Sequence, residues 1–132
     1  MSGGTKSIGN SGEDLAARYL ESNGYEIVAR NFHSRYGEID IIAKNAEYIS
    51  YLEVKTRGIS SYGLPRDAVT LQKQQKIIKT AYVFEAQHPY DLQPRFDVIE
   101  IYLKNKSEFA PMKLTHIKGA FELNGDEDYA LF

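Results

Sequence analysis

Two neighbouring strand patterns, Ile39–Lys44 and Tyr48–Lys55, constrain the fold of this chain more than any other feature. Both are rich in β-branched or aromatic residues, and only a short segment separates them, so they predict an antiparallel hairpin. Both patterns are apolar on either side. We therefore expect the two strands in the centre of a sheet rather than at its edge.

The register of this hairpin decides which side chains meet. If the turn is centred between residues 46 and 47, Lys44 lies opposite Ile49 and Asp40 lies opposite Glu53. Residues directly opposite each other in an antiparallel pair share one face of the sheet, with their Cβ atoms about 4.5–5.5 Å apart. A slip of one residue would separate the two carboxylates, so the prediction depends on this pairing.

The predicted register gathers a chemically active group of side chains. Lys55, two residues beyond Glu53, projects on the same face and adds an ammonium group to the two carboxylates. Two carboxylates in a partly buried position repel each other unless one is protonated or a cation neutralises both. Mg²⁺ binds one or two carboxylates and keeps positions for phosphate oxygens, so this group suits phosphodiester hydrolysis. The alternative is an exposed cross-strand ion pair; the apolar neighbours of both carboxylates favour the buried site.

A first helix is predicted from Ser11, as its N-cap, to Gly24, which ends it. Glu13 falls on or beside the apolar stripe of this helix and is a candidate fourth member of the site. An acid in the first turn of a helix is also common for electrostatic reasons alone, and that explanation of Glu13 is the simpler one.

The remaining patterns complete an α/β domain. They predict a strand at Tyr25–Arg30, a helix from the N-cap Thr70 to about Ala86, and strands at Phe96–Leu103 and Met112–Lys118. The order α-β-β-β-α-β-β predicts a mixed β-sheet flanked by helices.

Length and composition predict one domain and restrict the metal ligands and the cellular location that we expect. We expect a flexible N-terminal segment at residues 1–10, a single domain at residues 11–121 and an acidic tail at residues 122–132. The chain has no cysteine, so a metal must bind oxygen or imidazole ligands. It has no apolar run long enough to span a bilayer and no apolar leader, so we expect a cytoplasmic protein that does not bind membranes.

The charge distribution is compatible with a nucleic-acid partner. The net charge is −2, but the segment from Arg30 to Lys79 has nine basic and five acidic residues. This positive bias would attract a polyanion, although an ordinary mixed surface explains it equally well. Five cations around the hairpin could contact nucleic-acid phosphates, and each could also be a solvated surface charge. They are Arg30, Arg35, Arg57, Arg66 and Lys73.

Two polar residues of the C-terminal half are expected to be structural. Asp97 opens a predicted strand and would hold Arg95 or a backbone turn. The histidines, including His116, lack metal-ligand spacing, so loop or core roles are expected for them.

Three runs, Gly12-Glu13, Gly37-Glu38-Ile39-Asp40 and Glu53-Val54-Lys55, follow one another along the chain. With these runs the chain resembles the PD-(D/E)xK nuclease superfamily. It more closely resembles the YraN-type family of bacterial proteins, which is similar to archaeal Holliday-junction resolvases. The resemblance extends from Gly12 to Phe121 and departs from the superfamily pattern at Ile39, where the motif has proline.

This resemblance implies a restriction-endonuclease-like fold and Mg²⁺ or Mn²⁺ as the cofactor. It implies an endonuclease that hydrolyses phosphodiester bonds in DNA, with branched or non-duplex structures as candidate substrates. Asp40 and Glu53 would be the metal ligands and Lys55 the catalytic lysine. Glu13 would be the helical acid that assists the metal. Resolvase-like relatives also suggest a homodimer, which would supply two sites.

Two further functions stay open on sequence alone. The chain could be a nucleic-acid-binding module that keeps the nuclease fold without turnover. It could also be a protein-interaction adaptor that acts through its acidic tail and its aromatic surface.

Overall fold

The computed structural model describes residues 5–58, 69–104 and 109–122, with side chains from residue 11 onward. These residues form helices and strands in the order α-β-β-β-α-β-β, which confirms the predicted fold class and is consistent with a restriction-endonuclease-like fold. The elements are α1 (Thr5–Ser22), β1 (Glu26–Ser34), β2 (Gly37–Lys44), β3 (Tyr48–Gly58), α2 (Leu71–Gln87), β4 (Gln93–Leu103) and β5 (Pro111–Phe121).

The strands form one five-stranded sheet in the order β1-β2-β3-β4-β5. The pair β3–β4 is parallel, and the other neighbouring pairs are antiparallel. Parallel neighbours need a long crossover connection, and α2 lies in the connection between β3 and β4. Both hairpin strands lie inside the sheet, as their apolar patterns predicted.

The two helices cover opposite faces of the sheet. On one face, Ala16 and Leu20 of α1 pack in one cluster with Leu52. On the other face, Phe84 of α2 packs in a second cluster with Tyr51. Because successive strand residues point to opposite faces, β2 and β3 are buried on both sides. No helix within the described ranges has both the length and the apolar character that a membrane span requires.

The predicted start of the first helix is wrong. We expected Ser11 to cap it, but α1 begins at Thr5, so Ser11 and Gly12 lie inside the helix. Within the helix, Gly12 passes so close to β3 that a Cβ atom there would lie 2.6 Å from Thr56 Oγ1. The glycine therefore allows α1 to approach β3 closely. The predicted end at Gly24 is confirmed by its φ of +87° just beyond Ser22.

The second helix begins as predicted. The Thr70 side chain caps α2 by accepting a hydrogen bond from the backbone N–H of Lys73 at 3.1 Å. The helix ends at Gln87, one residue beyond the predicted end.

The first strand is longer than predicted because it continues past Asn31, which has a φ of +52°. Asparagine is one of the few residues other than glycine that adopt this conformation readily. It reverses the normal alternation of the strand. Arg30 points towards α1 and pairs with Asp14 at 2.9 Å, whereas Phe32 packs edge-on against Phe84 on the other face.

A buried polar cluster around Asp97 and His116 connects β4 with β5 and with α1 through hydrogen bonds. Asp97 is 1% exposed, accepts hydrogen bonds from Arg95 and from the Gly119 N–H, and lies 2.8 Å from His116 Nε2. Tyr19 of α1 contacts the other ring nitrogen of His116 at 2.9 Å. Burial alone would raise the pKa of Asp97, but His116 and Arg95 outweigh it and hold that pKa below its usual value. The predicted structural roles of Asp97 and His116 are confirmed.

Candidate metal centre

The predicted hairpin register is present up to the candidate site. The turn hydrogen bond joins the Asn45 N–H to the Tyr48 carbonyl at 3.0 Å, and Lys44 pairs with Ile49. Within the described residues, pairing between β2 and β3 ends at Ile41 and Leu52, one step before the predicted Asp40–Glu53 pair. Beyond this point β2 continues along β1, and β3 continues along β4. We call the opening between Asp40 and Glu53 the fork.

Asp40 lies at the start of the fork, where its side chain accepts a hydrogen bond from a backbone N–H of β3. Its Oδ2 accepts a hydrogen bond from the Val54 N–H at 2.8 Å. The carboxylate is thereby fixed in orientation by β3, although the regular ladder has ended. One oxygen of Asp40 is committed to this bond, and the other has no hydrogen bond to any residue that the structure describes.

Glu53 lies on the other side of the fork. Leu52 and Val54 pack on the α1 face, so Glu53 between them projects towards the α2 face. There its Oε1 lies 3.7 Å from Nζ of Lys73 in the first turn of α2, and its side chain is 16% exposed. Lys73 was predicted as a phosphate contact. The structure adds that it is an ion-pair partner of a candidate metal ligand.

The electrostatics of the fork show two carboxylates in an unfavourable position. Burial raises the pKa of Asp40, Glu38 raises it further, and the Val54 N–H and Lys73 act in the opposite direction. Burial and the nearby Asp40 raise the pKa of Glu53. Lys73 and Lys55 reduce that increase. Lys55 is therefore near enough to act on Glu53, although the ion pairs within the described ranges do not include it.

Glu13 of α1 is coupled to this group from the other face. Burial and Asp40 raise the pKa of Glu13, and Asn31 and Arg30 lower it. Its Oε1 lies 3.7 Å from Arg30 Nη2. When the Asn31 amide is oriented to satisfy its neighbours, its nitrogen donates to Glu13 Oε1 at 3.3 Å and to Glu38 Oε2 at 3.2 Å.

Glu38 is a site residue that the sequence reasoning missed. It raises the pKa of Glu13, Asp40 and Glu53, so it contributes negative charge to the same group. Its position two residues before Asp40 on β2 was the available signal. The side chain is 43% exposed, which places it at the rim of the group.

The other predicted phosphate contacts have different surroundings. Arg57 Nε donates to Glu100 at 3.1 Å, and the guanidinium group is largely buried, so that cation already has a carboxylate partner. Arg30 is paired with two acids of α1. Arg35 is exposed beside Tyr36. Arg66 lies outside the described residues, and its predicted role stays a prediction.

The donor set of the fork fits a hard divalent cation. In the described ranges, no three side chains of the histidine, aspartate or glutamate type are close enough together to hold a metal ion. Mg²⁺ takes only one or two carboxylates from a protein and completes its shell with water and phosphate oxygens. Asp40 and Glu53 supply that number, and an all-oxygen pair suits Mg²⁺ or Mn²⁺ better than a soft metal.

Comparison with known sequences places the chain in a family. The sequence model described as "Uncharacterised protein family UPF0102" matches residues 12–101. The chain belongs to the UPF0102 family. A UPF0102 protein of Clostridium beijerinckii is 47% identical over 121 residues, which cover 90% of this chain and 96% of that protein. A UPF0102 protein of Clostridium tetani is 46% identical over 124 residues, covering 93% and 100%. A third, from Caldanaerobacter subterraneus, is 46% identical over 117 residues, covering 88% and 95%.

The UPF0102 match confirms the predicted resemblance at the level of the bacterial family. Glu13, Asp40, Glu53 and Lys55 all lie within the matched residues 12–101. The match gives the family and assigns no activity to these positions.

Proposed function

We propose that this protein is a metal-dependent endonuclease that hydrolyses phosphodiester bonds in DNA. The observation that carries the proposal is the fork, where Asp40 and Glu53 both have raised pKa values, chiefly because of burial. Asp40 also acts on Glu53 directly. A divalent cation between them would turn this repulsion into attraction, because it neutralises both carboxylates.

Asp40 and Glu53 would hold Mg²⁺ or Mn²⁺. A metal bound there would polarise a phosphodiester and lower the pKa of a coordinated water. The Val54 N–H fixes the Asp40 carboxylate before any ligand arrives. Lys55, which already acts on Glu53, would stabilise the negative charge that develops on the phosphoryl oxygens. Glu13 would assist the metal as a third negative charge coupled to Asp40.

The choice of substrate rests on the resemblance in motif order to resolvase-like nucleases. It favours DNA, including branched or non-duplex structures, and a cytoplasmic homodimer that presents two sites. A dimer with twofold symmetry is the commonest way to cut two strands symmetrically.

The test is cleavage of end-labelled four-way, flapped and duplex DNA in Mg²⁺, in Mn²⁺ and in EDTA. We expect cleavage only with a metal, and a loss of about 10²–10³-fold in rate for Asp40→Asn and for Lys55→Ala. Glu47→Gln, which removes an exposed acid from the hairpin turn, is the matched control and should cut normally. Equal cleavage by all these variants would refute the site.

A second candidate function is nucleic-acid binding without turnover. The ion pair between Lys73 and Glu53 favours it, because a resident cation already neutralises one of the two proposed ligands. Binding of the same DNA substrates with no cleavage in any divalent metal would support this second function.

A further inference from the structure

Three lysines of α2 form a row that begins at the fork. Lys73, Lys76 and Lys79 are spaced three residues apart, so they follow one ridge of the helix over roughly 9 Å. Lys73 Nζ lies 3.7 Å from Glu53 Oε1. Lys79 Nζ lies 5.2 Å from the centre of the Tyr36 ring in the turn between β1 and β2. The row therefore connects the fork to that turn.

The middle lysine is packed against the start of β2. A Cβ atom on Gly37 would lie 3.2 Å from the Cβ of Lys76, so the glycine allows the turn and the helix to approach closely. The Lys76 side chain is itself exposed. The stem is thus placed by packing while the ammonium group stays accessible.

The turn is fixed to α2 by a short hydrogen-bond chain. Ser34 Oγ lies 2.8 Å from Oγ1 of Thr80, which is fully buried. The same Ser34 oxygen accepts a hydrogen bond from the Tyr36 N–H at 3.0 Å. Thr80 also donates to the Lys76 carbonyl at 2.8 Å. Side chains presented by the turn consequently have a defined position relative to the lysines.

Two cations, Arg35 and Lys79, lie beside the ring of Tyr36. Arg35 donates to the Tyr36 hydroxyl at 2.9 Å, and its Cζ lies 5.0 Å from the ring centre. Lys79 lies at a similar distance from the same ring. The ring attracts each cation, but the cations repel one another. In the part of the chain that the structure describes, none of Arg35, Lys76 and Lys79 forms an ion pair with an acid. Nor does α2 contain any acid before Glu85.

We propose that this basic row, formed by Lys73, Lys76, Lys79 and Arg35 around Tyr36, binds the phosphate backbone of the DNA strand that enters the fork. The proposal rests on the proposed function, because the row begins at Glu53. A polyanion suits a row of four cations of which, among the described residues, only Lys73 is paired with an acid. At 3.4 Å of rise per phosphate along one strand, roughly 9 Å corresponds to about three consecutive phosphates.

The test is equilibrium binding of a fluorescent single-stranded oligonucleotide to the full chain in EDTA, measured by anisotropy over a range of NaCl concentrations. The test variant is Arg35→Ala/Lys76→Ala/Lys79→Ala, which leaves Lys73 at the fork untouched. The control variant, Arg18→Ala/Lys104→Ala/Lys118→Ala, removes the same charge from exposed positions elsewhere. Thermal melting of both variants checks that each is folded.

Losing three phosphate contacts should lower the salt slope by about 2 and the affinity by about 100-fold at about 0.1 M salt. The control variant should bind within about twofold of the wild type, because it keeps the row. Tyr36→Ala should weaken binding several-fold, whereas Tyr36→Phe, which keeps the ring, should weaken it less.

Equal affinities of the test and control variants would overturn the proposal and leave the nuclease assignment untouched. So would a wild type that binds anionic lipid vesicles or RNA through these residues in preference to DNA. If the test variant alone loses DNA binding while the wild type cleaves nothing in any metal, the row stands and the proposed nuclease activity fails.

Discussion

Replacing Gly12 by alanine tests how closely α1 packs on β3, and hence how Glu13 is positioned. The added Cβ would lie 2.6 Å from Thr56 Oγ1 but at 3.6 Å and 4.0 Å from its next neighbours, Ile101 Cδ1 and Thr56 Cβ. Overpacking of this kind typically costs about 1–3 kcal/mol. Alanine in place of glycine inside a helix returns about 1 kcal/mol. We therefore expect Gly12→Ala to lower the free energy of unfolding by about 1 kcal/mol.

A double-mutant cycle with Thr56→Ala isolates the contact between Gly12 and Thr56. Removing the Thr56 hydroxyl leaves only contacts of ordinary length, so in that background Gly12→Ala should stabilise the protein by about 1 kcal/mol. The coupling between the two positions should then be about 2 kcal/mol by urea denaturation. Two substitutions that are additive within about 0.5 kcal/mol would refute the proposed contact.

Three further perturbations have definite expected signs. The raised pKa values of Asp40 and Glu53 imply stability that is present below their ordinary values of 3.8 and 4.5 and is lost as pH rises through the folded-state values. The metal-free protein should therefore lose free energy of unfolding as pH rises from about 4 towards neutrality, and the loss should be smaller in the Asp40→Asn variant. A wild type whose stability rises over that range, with the variant's slope unchanged, would contradict this. Ser50→Ala should stabilise by about 1 kcal/mol in urea denaturation, because the buried Ser50 hydroxyl has no hydrogen-bond partner among the described residues. A clear loss of stability would show that the hydroxyl has one. Asp97→Ala should destabilise by about 3–5 kcal/mol, since it leaves Arg95 without its buried partner, and a loss below about 1 kcal/mol would show the cluster to be dispensable.

Local patterns predicted the hairpin and its register correctly, because alternation and a short turn leave little freedom. The residues at which the pairing between β2 and β3 ends could not be predicted from local patterns. The end of the pairing depends on β3 following β4 in parallel for its whole length, and those strands are separated by α2. Asn31 illustrates a similar limit, since nothing local shows that its φ is positive and that it turns Arg30 towards α1.

The candidate site was predictable where it depends on a single hairpin and less so elsewhere. Asp40, Glu53 and Lys55 follow from strand spacing alone. Lys73 comes from a different element, so its ion pair with Glu53 required the packing of α2 on the sheet. Arg57 was a candidate phosphate contact, and β4 supplies the buried Glu100 as its ion-pair partner, a contact that no local pattern indicates. The predicted start of α1 at Ser11 was wrong, because the helix begins at Thr5 and continues through Ser11 and Gly12.

Titration calorimetry with Mn²⁺ at about pH 8 tests the central claim most directly, because it measures metal binding without any assumption about the substrate. The fork predicts one site in the wild type, an affinity at least about tenfold lower in Asp40→Asn and in Glu53→Gln, and an unchanged affinity in Glu47→Gln. A wild type that binds no Mn²⁺, or an affinity unaffected by loss of either fork carboxylate, would contradict the assignment.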